Sequence, residues 1–90
     1  LPYTTLGSGC QIHTGAILGD LPQDTAYRPA VSFVQIGRNC VIREYVTVHR
    51  GTKPGTVTEV GAECLLMACS HVGHNARVGN QVTLVNGALL

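Results

Sequence analysis

An aliphatic residue falls on every sixth position through the second half of this chain: Val60, Leu66, Val72, Val78 and Leu84. An amphipathic helix repeats apolar residues at three and four, and a half-buried strand at two. A period of six satisfies neither. It is the mark of a parallel β-helix, in which each hexad forms one side of a stacked coil. The same phase runs through the first half as Leu6, Ile12, Leu18, Ile36, Ile42 and Val48, and Leu90 also falls on it. Asp24, Ala30 and Pro54 hold the intervening positions, so the beat is interrupted but never shifted. The fifth residue of each later hexad is small or short: Cys64, Ser70, Ala76 and Val82.

With the three off-pattern hexads looped out, the rest winds at three hexads per turn, as known hexapeptide folds do. Three inward columns result. They are Leu6–Ile36–Val60–Val78, Ile12–Ile42–Leu66–Leu84 and Leu18–Val48–Val72–Leu90. Parallel strands stack about 4.8 Å apart, so each column is a continuous aliphatic ladder. The same winding stacks Cys10, Cys40, Cys64 and Val82 at one corner. Gly7, Gly19, Gly37, Gly61, Gly73 and Gly79 follow the aliphatic position, where a tight corner calls on glycine's tolerance of positive φ. Asn39, Asn75 and Asn80 sit near corners and tolerate the same region.

The fold class expected is therefore all-β, a parallel β-helix with two inserted loops. Ninety residues, 44% hydrophobic with a net charge of +1, suit one soluble globular unit. No run is long enough for a membrane span, and none reads as a signal peptide. The basic residues are scattered and the aromatics are only Tyr3, Tyr27, Phe33 and Tyr45, which argues against nucleic acid. The chain starts without Met, ends on Leu89-Leu90 and has no polar cap at either end. Repeat folds need capped ends. We therefore read residues 1–90 as a partial β-helix domain, the central coils of a longer chain. Three of the four cysteines take the small fifth position, and no CxxC pair occurs. Reduced thiols in a cytosol fit this better than bridges or zinc.

The first interruption runs from Asp20 to Gln35 and the second from Gly51 to Glu59. Each leaves after a third-column hexad, so both should emerge at the same edge. His49 and His74 lie in third-column hexads too. Inserted loops on a rigid scaffold often carry function. Of the four histidines, His13 lies far from the loops and reads as a structural or surface residue. His49 is equally a ligand group or a polar turn residue. His71 and His74 bracket a corner; spacing alone makes them solvated turn residues, and the neighbouring insertions raise the functional reading. A neutral imidazole of pKa near 6.5 is suited to take a proton from a hydroxyl. The competing reading is a zinc enzyme of β-helical carbonic-anhydrase type, with His49, His71 and His74 as ligands. The wider His-x4-His spacing associated with that type is missing. Cys69 reads as a packed or surface thiol, Asp24 as a solvated loop carboxylate, and Arg43, Glu44 and Arg50 as surface or inter-subunit charges.

Three runs carry a resemblance. They are Leu18-Gly19-Asp20 through Gln23-Asp24, Ile42-Arg43-Glu44-Tyr45-Val46-Thr47-Val48-His49-Arg50-Gly51-Thr52, and Leu65 through Asn80 with its Leu-Leu-Met and His-x-x-His. At these residues the chain resembles the acyl-[acyl-carrier-protein]–UDP-N-acetylglucosamine O-acyltransferases of lipid A synthesis. The resemblance implies a left-handed β-helix, against the usual crossover hand. It implies a cytoplasmic homotrimer with active sites between subunits, needing no metal or cofactor. It implies an acyl group moved from acyl carrier protein to the 3-hydroxyl of a UDP-sugar, with His74 as the general base. His71, His49 and Asp24 fall on positions lining the sugar-nucleotide site, and Gln23 neighbours it. Ala26 stands where the family usually has Lys, and Asn75 where an acidic residue is frequent. His-Asn is also reminiscent of the related UDP-glucosamine N-acyltransferases. These 90 residues alone are expected to be inactive.

Overall fold

The structure, a computed structural model, describes residues 1, 3–22 and 31–90. Short strands end on or just past the aliphatic positions, and turns separate them. In chain order they are β1 (Thr4–Leu6), β2 (Gln11–Ile12), β3 (Ile17–Asp20), β4 (Phe33–Ile36), β5 (Val41–Ile42) and β6 (Thr47–His49). They continue as β7 (Val57–Val60), β8 (Leu65–Leu66), β9 (His71–Val72), β10 (Arg77–Val78) and β11 (Thr83–Leu84). Every pairing is parallel, and successive strands go to successive sheets. The sheets are β1-β4-β7-β10, β2-β5-β8-β11 and β3-β6-β9. Strands of two residues cannot stand alone. They persist here because each is one rung of a ladder closed on three sides.

The register is the one the period of six predicts. Leu6 pairs with Ile36, Ile36 with Val60, and Val60 with Val78. Ile12, Ile42, Leu66 and Leu84 form the second column, and Leu18, Val48 and Val72 the third. A bridge between His71 and Leu89 brings Leu90 beside Val72. Ile42, Val48, Leu66 and Val72 are fully buried, while Leu6 and Ile12, on the first coil, are each 43% exposed.

Two details depart from the sequence reading. The interruptions end earlier than the hexad frame suggests. Phe33–Ile36 and Val57–Val60 pair residue for residue, so both excursions rejoin the first sheet three residues ahead of the inward position. The corner glycines also differ from expectation. Of the six glycines that follow an aliphatic residue, only Gly19 has positive φ. The left-handed residue is instead the third after the aliphatic one: Gly9, Gly15, Asn39, Tyr45, Glu63, Cys69, Asn75, Gln81 and Gly87 all have φ between 55° and 76°. Asn39 and Asn75 take that place as expected; Asn80 does not, and Gln81 does. The other glycines meet a different demand. A Cβ at Gly37 would lie 2.7 Å from the backbone nitrogen of Ala62, in the next coil. At Gly7, Gly37, Gly61 and Gly73 the corner lies against the backbone of a neighbouring coil, and a side chain has no room.

The thiols stack as the winding requires. Cys10 Sγ donates to the Gly37 carbonyl at 3.2 Å, Cys40 to Gly61 at 3.1 Å and Cys64 to Gly79 at 3.1 Å. Each thiol thus reaches the glycine carbonyl of the following coil. No described cysteine is in a disulfide. Burial pushes the Cys40 thiol pKa up, as expected for an inert packed thiol. Cys69 is exposed. No described helix is long and apolar enough to cross a membrane.

Candidate active site

The third sheet carries the histidines because of how its hexads are phased. Val48 and Val72 point inward and stack, so the residues one step before or after them face out on adjacent rungs. His71, one step before Val72, stands beside Thr47, one step before Val48. A 2.7 Å hydrogen bond joins Thr47 Oγ1 and His71 Nδ1. His49, one step after Val48, closes β6 against Asp20 at the end of β3. The rings of His49 and His71 meet edge to face, with centroids 4.7 Å apart and planes at 77°. His74 lies in the turn after β9, half-buried like His71.

His49 is 7% exposed, and its Nδ1 has no hydrogen-bond partner. Burial holds its pKa below the ordinary histidine value; the nearby His71 and His74 push the same way, and Asp20 opposes them. A buried imidazole with a ring nitrogen left unpaired is cheapest uncharged. The site therefore holds a neutral imidazole at its floor, with two more histidines at its rim.

Both excursions do leave from one edge. Arg50 N donates to Asp20 O at 3.1 Å, tying the two departures together. Gly55 N donates to Val31 O and Phe33 N to Thr56 O, each at 2.9 Å, so the second loop lies along the return of the first. Ser32 Oγ, fully buried, donates to Gly51 O at 2.6 Å. Gln23 and Asp24, along with Ala26, lie outside the described residues.

The sequence reading missed three contributors. Thr47 was legible in the hexad frame, since it shares its offset with His71. Asp20 was counted as the start of a loop; it is the last residue of β3 and faces His49. Arg50 is not merely a surface charge. Its guanidinium lies over the Tyr3 ring, 5.5 Å from the centroid, and its Nε is buried without a partner. Nothing in the repeat marks that packing. His13 sits away from the cluster, 3.9 Å from Glu44, which also binds Arg43 Nε at 2.7 Å. Among the described residues no group of three His, Cys, Asp or Glu side chains is placed to hold a metal ion.

No family model matches the chain. Among curated proteins it is 45% identical over 87 residues to the acyl-[acyl-carrier-protein]–UDP-N-acetylglucosamine O-acyltransferase of Synechocystis sp.. That match covers 97% of this chain and 32% of the relative. The enzyme of the same name from Caulobacter vibrioides is 43% identical over 88 residues, 97% of this chain and 34% of its own. The chain thus spans about a third of the length of the curated relatives it matches. Among solved structures it matches that of LpxA, a UDP-N-acetylglucosamine acyltransferase from Bacteroides fragilis, with a TM-score of 0.87 and 36% identity. This covers 99% of the chain and 37% of that one. The resemblance read from the three sequence runs is borne out, and with it the left-handed parallel β-helix.

Proposed function

We propose that this chain forms part of an acyltransferase that moves an acyl group from acyl carrier protein to the 3-hydroxyl of UDP-N-acetylglucosamine, the first step of lipid A synthesis. The observation that carries this reading is the similarity, over almost the whole chain, to enzymes named for that activity. The geometry fits it. Three histidines gather at the edge of the third sheet, beside both excursions.

In the proposed reaction His74 accepts the proton of the sugar hydroxyl as that oxygen attacks the thioester carbonyl. The new C–O bond forms, the C–S bond breaks, and the proton passes from His74 to the departing sulfur. An imidazole can both accept a proton and return it, so one side chain serves both transfers. His49, kept neutral by burial, and His71, oriented by Thr47, line the sugar-nucleotide side together with Asp24 and Gln23. We place the enzyme in the cytoplasm as a homotrimer with active sites between subunits, residues 1–90 supplying central coils. The step needs no metal or cofactor.

The test is acyl transfer from acyl carrier protein to UDP-N-acetylglucosamine by the complete polypeptide. Wild type should turn over, and His74→Ala should lose at least about a hundredfold in kcat while keeping its assembly. Full turnover by His74→Ala would remove His74 from the mechanism.

A further inference from the structure

We propose that Asn75 is a positioning residue: it ties the Gly51–Thr56 loop to the turn that carries His74, so that His49 and His74 are held in one fixed relation. The proposal rests on the acyltransferase reading above. Asn75 directly follows His74, and Thr52 lies three residues after His49. Two hydrogen bonds join them. Asn75 Nδ2 donates to Thr52 Oγ1 at 2.8 Å, and Thr52 N donates to Asn75 Oδ1 at 3.3 Å. The carboxamide thus uses both its donor and its acceptor on one residue of the loop.

The turn itself is pinned from below. Asn75 N donates to Thr58 Oγ1 at 2.9 Å, and Thr58 is fully buried in β7. Asn75 sits at φ 63°, a conformation that asparagine adopts more readily than most residues. Its side chain also packs on the loop backbone: a Cβ at Gly51 would come within 2.8 Å of Asn75 Oδ1. The rest of the loop is closed on itself, with Thr56 Oγ1 donating to Lys53 O at 2.6 Å and accepting from Lys53 N at 3.1 Å. The loop is therefore a rigid unit, and Asn75 is its side-chain link to the coil of His74. A carboxylate at this position could accept from Thr52 N and, once the hydroxyl turned, from Thr52 Oγ1. It could not donate. Asparagine and aspartate both preserve the tie, and alanine does not.

The experiment uses the complete polypeptide as wild type, Asn75→Ala, Thr52→Val, Asn75→Ala with Thr52→Val, and Asn75→Asp. Acyl transfer to UDP-N-acetylglucosamine is measured as kcat and KM, and amide hydrogen exchange is followed at Thr52. Misplacing a catalytic group by a fraction of an ångström lowers kcat more than KM, and we expect about a tenfold loss in kcat for Asn75→Ala and about threefold for Thr52→Val. The double variant should be no worse than Asn75→Ala, because both substitutions cut one link. Asn75→Asp should stay within about threefold of wild type, by the carboxylate geometry above. Thr52 exchange should quicken in Asn75→Ala and stay slow in Asn75→Asp. Unchanged kcat in a folded Asn75→Ala, multiplied losses in the double variant, or unaltered Thr52 exchange would each overturn the proposal. If wild type shows no acyl transfer but Thr52 exchange follows the expected pattern, the tie stands and the acyltransferase reading falls.

Discussion

Gly37 and Gly79 hold the same place in their hexads, one step past an inward aliphatic residue, yet the structure assigns them opposite costs for gaining a methyl group. A Cβ at Gly37 would lie 2.7 Å from the Ala62 nitrogen and 2.7 Å from the Gly61 carbonyl carbon; at Gly79, which follows the last strand of its sheet within these 90 residues and so has no following coil against it, a Cβ would meet nothing within 4 Å. Carbon contacts are comfortable from about 3.5 Å, so alanine at position 37 overlaps the next coil by roughly 0.8 Å. The obstacle is backbone, which cannot swing aside as a side chain would. The coils must part, against rungs such as Gly37 N to Val60 O and Glu63 N to Arg38 O, both 2.8 Å. Weakening one such bond costs about 1 kcal/mol net, and the overlap adds about 1–3 kcal/mol. Gly37→Ala should therefore destabilise the chain by about 2–4 kcal/mol. Gly79→Ala meets no overlap, and the loss of freedom in the unfolded chain should stabilise it by about 0.4–1 kcal/mol. The assay is urea unfolding of the 90-residue chain followed by far-ultraviolet circular dichroism, with the m-values compared. Equal losses at the two positions would refute the reasoning. They would mean that these corners need glycine's conformational range and not its missing side chain.

The buried thiols and the buried His49 lead to two further outcomes. An aromatic disulfide reagent should label Cys69 at once, and Cys40 and Cys64 only as fast as the chain unfolds, because these two are buried with their thiols donating to Gly61 and Gly79; rapid labelling of three thiols in the folded chain would contradict the stacked corner. His49 has a folded-state pKa below its unfolded one, mainly through burial, so the folded chain binds that proton more weakly. Its contribution is intact above the unfolded value near 6.5 and is lost as pH falls from there through the folded pKa, where the unfolded chain takes up the proton first. Stability should therefore drop more steeply below about pH 6.5 in wild type than in His49→Gln, whose site no longer titrates. Parallel urea midpoints across that range check this, and identical slopes would rule out the buried imidazole as an acid-sensitive element.

How far the sequence spoke depended on which physical constraint each feature answers to. Leu66, Val72 and Val48 were legible because a prism with three sides leaves one inward place per hexad, and only aliphatic residues fill it in ladders. Cys10, Cys40 and Cys64 followed from the same count. The left-handed corner residue was not legible. Tyr45, Glu63, Cys69 and Gln81 occupy it as readily as Gly9 or Asn39, so residue type conceals what position reveals. The glycines misled for the matching reason: Gly37 is there for space, which only the stacked neighbour shows. In the candidate site, His71 and Thr47 share an offset and could be paired on paper. The ring contact with His49 joins residues on opposite sides of the aliphatic position, one step after Val48 and one step before Val72, so a shared offset does not reveal it. Arg50 lies over Tyr3, a residue outside the motif that contains Arg50, so the motif does not show the contact.

The central claim is that winding by sixes brings distant histidines to one edge of the prism. Ring-proton nuclear Overhauser effects test it most directly, since the His49 and His71 rings lie 4.7 Å apart between centroids. The account predicts a cross-peak between the His49 and His71 rings and none from His13 to either. Absence of the first, in a folded sample with all four histidines assigned, would contradict the stacking of β6 on β9.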